Sequence, residues 1–281
     1  MTDNRQPRTD YYDLTDTGRR TRLKRVALKA LESYDLDVVR MRGMTDATNG
    51  IFRLDTSDGE RYAMRVSLGP PVQHPVEEVR SEMEWLDAIA TETDISVPRP
   101  IHTRDDQRVV VASDPLVPHD RNCAVFTWLE GTTLADRLTP DTMRAFGATM
   151  AKLHIHGQSF RPSDTFSASR YDKPYPYELP FIVFDRADTD LLPPGRRLLF
   201  EAAWQTVEDV IDRLAARESP RLIHGDLHPW NAMVNHGRIS VFDFEDMVWG
   251  WPVQDIGTSL YYFWSNEDFE ARWTQLREGY E

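Results

Sequence analysis

Short strand-like runs are concentrated in the first half of the chain, and this feature limits the possible folds more than any other. Three of these runs, at residues 37–43, 49–59 and 60–68, are rich in apolar and β-branched residues. Stretches of Asp, Asn and Gly separate them, as is typical of turns between neighbouring antiparallel strands. Two further apolar runs follow at 108–113 and 123–129. Together they predict an antiparallel sheet of about five strands.

One helix-like segment interrupts this strand-rich half, and helical patterns dominate the rest of the chain. In residues 74–90 the helical stripe consists of Val76, Val79, Met83, Leu86 and Ile89. Helical spacing also occurs at 20–34, 141–157 and 193–218. In 141–157 the stripe consists of Met143, Phe146, Met150, Leu153 and His154. The second half is therefore expected to be mainly helical.

The change of pattern near residue 128 predicts an α+β fold with two lobes. A polar segment is expected at 1–19, a lobe with the sheet and one important helix at 20–127, and a mainly helical lobe at 128–281. Residues 161–195 are rich in Pro, Asp and Tyr and are expected to form an irregular insertion.

Charge and cysteine content exclude several classes of protein. The chain has 33 basic and 46 acidic residues and a net charge of -13, so it lacks the positive charge expected for binding nucleic acid or an anionic membrane. No apolar run is long enough to span a bilayer. The single cysteine, Cys123, cannot form an internal disulfide and is expected to be buried. We therefore expect a soluble, cytoplasmic protein.

Two motifs in the second half carry the chemically informative residues. They are "HGDLHPWN" at 224–231 and "ISVFDFED" at 239–246, and they contain Asp226, Asn231 and Asp243. Phosphoryl transfer requires a carboxylate that orients the attacking hydroxyl and accepts its proton. It also requires oxygen ligands for the Mg²⁺ ion that accompanies the nucleotide phosphates. The two motifs offer both kinds of group.

The order and separation of these motifs resemble the catalytic and metal-binding loops of the aminoglycoside phosphotransferase and choline kinase family, small-molecule relatives of the protein kinases. The resemblance covers most of the chain and implies a protein-kinase-like fold that transfers the γ-phosphoryl group of ATP to a small-molecule hydroxyl. It implies that Asp226 is the catalytic base and that Asn231 and Asp243 bind Mg²⁺. It also implies that His224 and Gly225 mainly shape the loop.

The same resemblance implies a nucleotide-binding role for the first lobe. Asn49 and Gly50 are expected in a turn that covers the phosphates, and Arg65 is expected to pair with Glu82. This sequence departs from the protein-kinase pattern because it lacks G-x-G-x-x-G and has arginine where protein kinases have lysine. Arginine pairs with phosphate and carboxylate in a different geometry, so a surface ion pair is the alternative interpretation of Arg65 and Glu82.

Several other residues have two possible interpretations. Backbone groups near Phe126 and Trp128 are expected to contact adenine, although their side chains could equally belong to the core. His228 is more easily explained as a structural hydrogen-bonding residue than as a catalyst. Glu245 could contact a metal or cationic substrate, or it could be simply solvated. Asp255 is expected to tie the helix that follows to the catalytic loop.

Aromatic residues around the motifs leave the phosphoryl acceptor open. With the acidic tract "DFED" they could line a pocket for an amine through charge and cation–π attraction. These residues are Trp230, Trp249, Trp251, Tyr261, Tyr262 and Trp264. A cationic acceptor would be an aminoglycoside, choline, ethanolamine or an amino alcohol such as homoserine. The run "SLYYFW" is equally typical of a buried helix face. The sequence does not specify the nucleotide preference or the oligomeric state.

Three alternative functions remain. His224, Asp226 and His228 could bind a transition metal in a hydrolase, although His236 is then the one histidine left downstream. A catalytically silent pseudokinase is a second possibility. A Ser/Thr protein kinase is the third, although little room follows Asp243 for a peptide-binding segment. Family members usually continue with further helices, so the sequence is expected to be truncated or unusually short.

Overall fold

The computed structural model describes residues 10–45, 49–69, 74–175 and 193–281. Within these residues the chain forms two compact units. The first extends to Glu130 and also includes Pro162–Phe166, and the second consists of Gly131–Arg161 and Ser167–Glu281.

The first unit contains an antiparallel sheet and two helices. In chain order its elements are α1 (Asp16–Leu31), β1 (Val38–Thr45), β2 (Asn49–Thr56), β3 (Arg61–Ser67), α2 (Val76–Glu92), β4 (Pro100–Ile101), β5 (Val110–Asp114) and β6 (Val117–Thr127). The strand order is β1-β2-β3-β6-β4, and β5 pairs with the same side of β6 as β4. Every pairing is antiparallel, as predicted.

The described residues of this sheet form six strands, one more than the sequence indicated. The additional strand is β4, which has two residues and begins at Pro100. The sequence did not predict this strand, because proline normally interrupts a strand pattern. Proline is tolerated at the first residue of a strand, where no ladder hydrogen bond requires its missing N–H.

Helix α1 packs on one face of this sheet. It begins at Asp16, earlier than the expected residue 20, because the side chain of Thr15 accepts a hydrogen bond from the Gly18 N–H and caps the first turn. Its buried residues contact buried residues of β2, β3 and β6 in one apolar core. Cys123 belongs to this core, as expected, and burial raises the pKa of its thiol to about 12.

Helix α2 confirms the predicted stripe and shows a further feature of its buried face. Val79, Met83, Leu86 and Ile89 are all buried, and Val76 in the first turn is half-buried, which agrees with the helical spacing in the sequence. Glu82 is buried on the same helix, with 3% of its surface exposed. A buried carboxylate needs a partner, and the partner of Glu82 is described below.

The second unit is mainly helical, as predicted, with two small sheets. Its elements are β7 (Thr132–Thr133), α3 (Pro140–Ser159), α4 (Pro194–Ala215), β8 (Arg221–Ile223), β9 (Ala232–Asn235), β10 (Arg238–Val241), β11 (Val248–Gly250), α5 (Pro252–Tyr261) and α6 (Phe269–Tyr280). Strands β7, β9 and β10 form one sheet, and β8 pairs with β11. Short 3₁₀ turns occupy Leu134–Arg137, Pro229–Asn231 and Phe244–Asp246.

Helix α3 is the central helix of this unit. It begins with Pro140 and is capped by Thr139 and Thr142, whose side chains each accept the other residue's backbone N–H. All five residues of its predicted stripe are buried. The expected insertion at 161–195 is described only in part: residues 161–175 are irregular, and 176–192 lie outside the described residues. None of the helices within the described ranges is long and apolar enough to cross a membrane.

Candidate active site

The loop after β8 is anchored by Asp255 of helix α5. The backbone N–H groups of His224 and Gly225 donate to the Asp255 carboxylate at 3.0 and 2.8 Å. The same carboxylate contacts Nε2 of His154 on α3 at 3.0 Å. Asp255 is fully buried, so these three contacts replace the water that its charge would otherwise require. The expected link between this helix and the catalytic loop is confirmed.

His224 supports the loop from within. Its Nε2 donates to the Phe242 carbonyl at 3.0 Å, and its Nδ1 accepts the Asp226 N–H at 3.3 Å. Burial is the largest effect on this ring and lowers the pKa of His224, outweighing the opposite influence of Asp255. Both ring nitrogens of the neutral imidazole are therefore occupied, which argues against the metal-hydrolase alternative. The structure supports the expected loop-shaping role.

Asp226 is the predicted base, and two neighbours hold one of its oxygens. Oδ2 accepts a hydrogen bond from Asn231 Nδ2 at 3.0 Å and lies 3.3 Å from His228 Nε2. Burial alone would raise the pKa of Asp226, but the interactions with His228, with smaller effects of His224 and Asn231, outweigh burial and hold the pKa below its usual range. Asp226 is therefore ionised at neutral pH.

His228 contacts the carboxylate of the predicted base, which the sequence did not indicate. Its Nδ1 accepts the Trp230 N–H at 3.2 Å, so the proton of a neutral ring is on Nε2, which points at Asp226. The hydrogen-bonding interpretation is correct, but the acceptor is the carboxylate of the predicted base. The spacing Asp-x-His was the available signal, because alternate residues of an extended segment face the same side.

Gly225 allows the catalytic loop to approach the second motif closely. Its φ is +85°, a value that favours glycine, and a Cβ at this position would overlap with the backbone carbonyl of Asp246. The two motifs are therefore in direct backbone contact. Any larger residue at position 225 would have to push them apart.

The hairpin of β9 and β10 brings the predicted Mg²⁺ ligands to the same end of its two strands. Ala232 pairs with Val241, and the next residue, Phe242, donates its N–H to the Asn231 carbonyl at 3.0 Å. Asn231 and Asp243 therefore flank the same end of the hairpin. Asp243 has a φ of 67°, an uncommon left-handed conformation for a residue with a side chain.

The available donor atoms fit a magnesium ion. Because Asn231 uses its Nδ2 to bind Asp226, its side-chain oxygen is directed away from that contact and can act as a ligand. Mg²⁺ commonly takes one or two protein oxygens and fills its other positions with water and phosphate. In the described part of the chain no cluster of three or more His, Cys, Asp or Glu could hold a metal.

The first unit contains the predicted pair of Arg65 and Glu82. Arg65 Nη1 donates to Glu82 Oε1 at 2.8 Å, and Nη2 contacts Oε2, so the pairing is bidentate. The two side chains are 10% and 3% exposed. The predicted pairing is confirmed, and the surface alternative is wrong. The guanidinium also lies 5.4 Å from the centre of the Phe126 ring.

Asn49 and Gly50 are strand residues. They begin β2 and pair with Ser67 and Val66 of β3. The sequence predicted that both residues lie in a turn, and this prediction is wrong for Asn49 and Gly50; residues 46–48 lie outside the described residues. Gly50 packs closely, since a Cβ there would touch Leu23.

Phe126 lies near the end of β6 and Trp128 directly follows this strand, both in the first unit. Phe126 is 7% exposed, which agrees with the core alternative for its side chain. Two backbone N–H groups of this segment donate within the unit, those of Thr127 to Arg99 and of Trp128 to Arg61, at 2.9 and 3.3 Å. An adenine ring at this segment would have to use other backbone groups.

Comparison with known proteins establishes the family. A model of the phosphotransferase enzyme family matches residues 44–281. The chain belongs to this family. The resemblance predicted from the two motifs is therefore confirmed, and so is the expectation of a phosphotransferase enzyme.

Relatives of this phosphotransferase include small-molecule kinases. Amicoumacin kinase of Bacillus subtilis (strain 168) is 22% identical over 247 residues, a match that covers 85% of this chain and 67% of the relative. The structure of an amicoumacin kinase in complex with AMP-PNP, Ca²⁺ and Ami has a TM-score of 0.74 at 17% identity, covering 94% of this chain and 78% of that one.

A second structural neighbour is a microcompartment-associated aminopropanol kinase, with a TM-score of 0.70 at 23% identity over 92% of this chain and 80% of that one. A third is an aminoglycoside phosphotransferase from Alicyclobacillus acidocaldarius, with a TM-score of 0.60 at 19% identity over 89% and 77% of the two chains. At these identities the structural matches establish the fold, which confirms the predicted kinase-like α+β class.

Aromatic side chains of the phosphotransferase divide between core and surface. Trp251 is 1% exposed, whereas Trp230, Tyr261, Tyr262 and Trp264 are 40% to 70% exposed. In the run "SLYYFW" the buried-face interpretation therefore fails for Tyr261, Tyr262 and Trp264. It holds for Ser259 and Phe263 of this run, which are 0% and 1% exposed.

Trp230 and Tyr262 form a small cluster beside the predicted base. The ring of Tyr262 is centred 4.4 Å from the His228 ring and 5.1 Å from the Trp230 ring. Burial and the negative charge of Asp226 raise the pKa of Tyr262, so its hydroxyl stays protonated at neutral pH. The cluster thus presents two exposed aromatic side chains near Asp226.

Proposed function

We propose that this phosphotransferase moves the γ-phosphoryl group of ATP, with Mg²⁺, to a hydroxyl of a small molecule, and that Asp226 is the base. The observation that carries the proposal is the environment of Asp226. Its Oδ2 is held by Asn231 and lies close to His228, whereas Oδ1 has no hydrogen-bond partner among the described residues. An ionised carboxylate fixed at one oxygen can accept a hydroxyl proton at the other.

Asp226 would act mainly by orientation. Phosphoryl transfer passes through a loose transition state, so positioning the acceptor oxygen in line contributes more than early removal of its proton. The lowered pKa of Asp226 suits this role because the carboxylate remains ionised and ready to accept the hydrogen bond. As the acceptor oxygen bonds to phosphorus, its proton passes to Asp226.

Asn231 and Asp243 would hold Mg²⁺ at the end of the β9–β10 hairpin. The metal, when bound, would neutralise negative charge that develops on the phosphate oxygens. Asn231 would serve both the base and the metal, because its nitrogen holds Asp226 and its side-chain oxygen would be available as a ligand. The β9–β10 pairing would keep Asp243 in register with Asn231.

Arg65 would contribute to nucleotide binding from the first unit. Its bidentate pair with Glu82 fixes the guanidinium in one orientation, so little entropy remains to be lost when it donates to phosphate. Asn49, Gly50, Phe126 and Trp128 remain proposed nucleotide contacts.

The acceptor is proposed to carry a cationic amine. Trp230 and Tyr262 expose aromatic faces beside Asp226, and aromatic faces attract cations. The overall charge of -13 also favours a positively charged substrate over an anionic one.

ATP consumption with Mg²⁺ tests the reaction, with wild type and Asp226→Asn compared across hydroxyl acceptors. The panel should pair amino alcohols and aminoglycosides with neutral alcohols of similar size, together with a generic protein substrate. In the variant, the amide oxygen must face Asn231 and His228, so its NH₂ group faces the acceptor. Turnover should fall by about 10²- to 10⁴-fold.

Asp141→Asn is the matched control: it makes the same change of side chain at a position that is 97% exposed and has a long contact to Arg144. Wild-type turnover in Asp226→Asn would refute the assigned base. ATP binding without turnover of any acceptor would favour the pseudokinase alternative, and phosphorylation of the protein substrate alone would favour the protein kinase.

Calorimetric titration of ATP tests the proposed metal ligand. Asp243→Ala should weaken nucleotide binding in Mg²⁺ and leave binding in EDTA unchanged, because only the metal-bridged contact is lost. Equal weakening under both conditions would contradict a metal-binding role.

A further inference from the structure

Helix α6 connects to the catalytic loop through a chain of hydrogen bonds. The hydroxyl of Tyr280 lies 2.8 Å from Nδ1 of His154, and Nε2 of the same ring lies 3.0 Å from Asp255 Oδ2. Asp255 in turn accepts the N–H groups of His224 and Gly225. Three helices and the loop that carries the proposed base are thereby joined.

The direction of each bond is determined by chemistry. Asp255 is buried and accepts two backbone N–H groups, so His154 contributes a third donor from Nε2. When the His154 ring is neutral, its Nδ1 is an acceptor, so the Tyr280 hydroxyl donates to it. Burial, assisted by Asp255 and opposed by Arg221, raises the pKa of Tyr280, which keeps this donor protonated.

Backbone packing brings the tyrosine to this position. A Cβ on Gly147 of α3 would overlap with the Leu276 carbonyl, and a Cβ on Gly279 of α6 would overlap with the Arg144 carbonyl. The two helices therefore cross with their backbones in contact, and each supplies a glycine at the crossing. Tyr280 follows Gly279 directly, and its hydroxyl reaches His154 on α3.

We propose that Tyr280 is a positioning residue for phosphoryl transfer, and that helix α6 sets the position of the catalytic loop through it. Without the hydroxyl, the His154 ring loses the contact at Nδ1 that holds it in place, so its bond from Nε2 to Asp255 is no longer fixed. His224 and Gly225 would then shift with Asp255, and Asp226 with them. Small displacements of a catalytic group lower turnover strongly. The activity component of this inference rests on the proposed function.

Tyr280→Phe tests the proposal because it keeps the ring, which meets the His154 ring edge-on at 5.6 Å, and removes only the hydroxyl. We expect kcat to fall about tenfold with little change in KM for ATP or acceptor, since binding groups are untouched. We also expect the amide ¹H–¹⁵N signals of His224 and Gly225 to shift. Thr274→Val removes an exposed hydroxyl that bonds only within α6 and should change neither.

A second variant, Gly279→Ala, perturbs the same path by forcing the helices apart, and it should produce both changes at larger size. The proposal requires both effects in Tyr280→Phe. Lower kcat with unshifted His224 and Gly225 signals would overturn it, as would shifted signals with unchanged kcat. If the wild type turns over no acceptor, the proposed function fails, while unshifted amide signals would still overturn the link from Tyr280 to the loop.

Discussion

Breaking the Arg65–Glu82 pair should destabilise the first unit strongly. In Arg65→Met the Glu82 carboxylate stays 3% exposed but loses its bidentate partner. Removing one member of a buried ion pair costs about 3–5 kcal/mol, because the remaining charge is left without compensation. With a urea m-value of about 2 kcal/mol per M, the midpoint should move down by about 2 M.

The double variant Arg65→Met/Glu82→Leu separates folding from function. Replacing both members by apolar residues of similar volume is often neutral, so the urea midpoint should return to within about 0.5 M of wild type. Turnover of ATP should not return, because no guanidinium remains to contact phosphate. The measurements are urea unfolding followed by circular dichroism and the ATP-consumption assay, applied to the wild type and all variants.

The exposed pair of Arg61 and Glu130 is the matched control. Its side chains are 39% and 51% exposed, so Arg61→Met should cost under about 1 kcal/mol. A similar midpoint for Arg65→Met and Arg61→Met would refute the burial argument. Wild-type turnover in the double variant would refute a nucleotide-binding role for Arg65.

Two further changes test the catalytic loop. Gly225→Ala should lower turnover by more than about 10²-fold. Alanine is strained at a φ of +85°, and its Cβ would overlap with the Asp246 carbonyl, so the loop must shift. The control Gly257→Ala should retain activity, because there is open space around Gly257. Burial lowers the pKa of His224 in the folded chain, so below about pH 6.5 the unfolded chain binds a proton that the folded chain does not. Stability should therefore fall as pH drops, by up to about 1.4 kcal/mol per pH unit. Urea midpoints measured from pH 7.5 to 5.5 should show a smaller loss of stability in His224→Gln than in the wild type. The control His236→Gln should lose as much stability as the wild type, because the His236 side chain is exposed. An equal loss in both variants would contradict the assignment of this pH dependence to His224.

Features that depend on the spacing of residues close together in the sequence were predictable from the sequence. The stripe of α2, the strands of the first unit and the grouping of Asp226 with Asn231 all follow from spacings within one element or one loop. The pairing of Arg65 with Glu82 was also predicted, through a resemblance that relates positions 17 residues apart.

Features that the sequence left undecided depend on contacts between elements. His154 and Asp255 are 101 residues apart, and no periodicity relates them. Asp226 and His228 are neighbours in the sequence, yet their contact depends on the loop conformation that His224 and Gly225 impose.

The sequence by itself indicated which side chains are candidates for phosphoryl transfer, because their chemistry and spacing are local properties. Only the tertiary structure decided how Asp226 is ionised and oriented, since burial and the neighbouring His228 set its pKa. It also decided that Tyr280 of α6 is connected to the catalytic loop. Such connections require the close crossing of α3 and α6, which results from packing of whole helices and cannot be read from either helix alone.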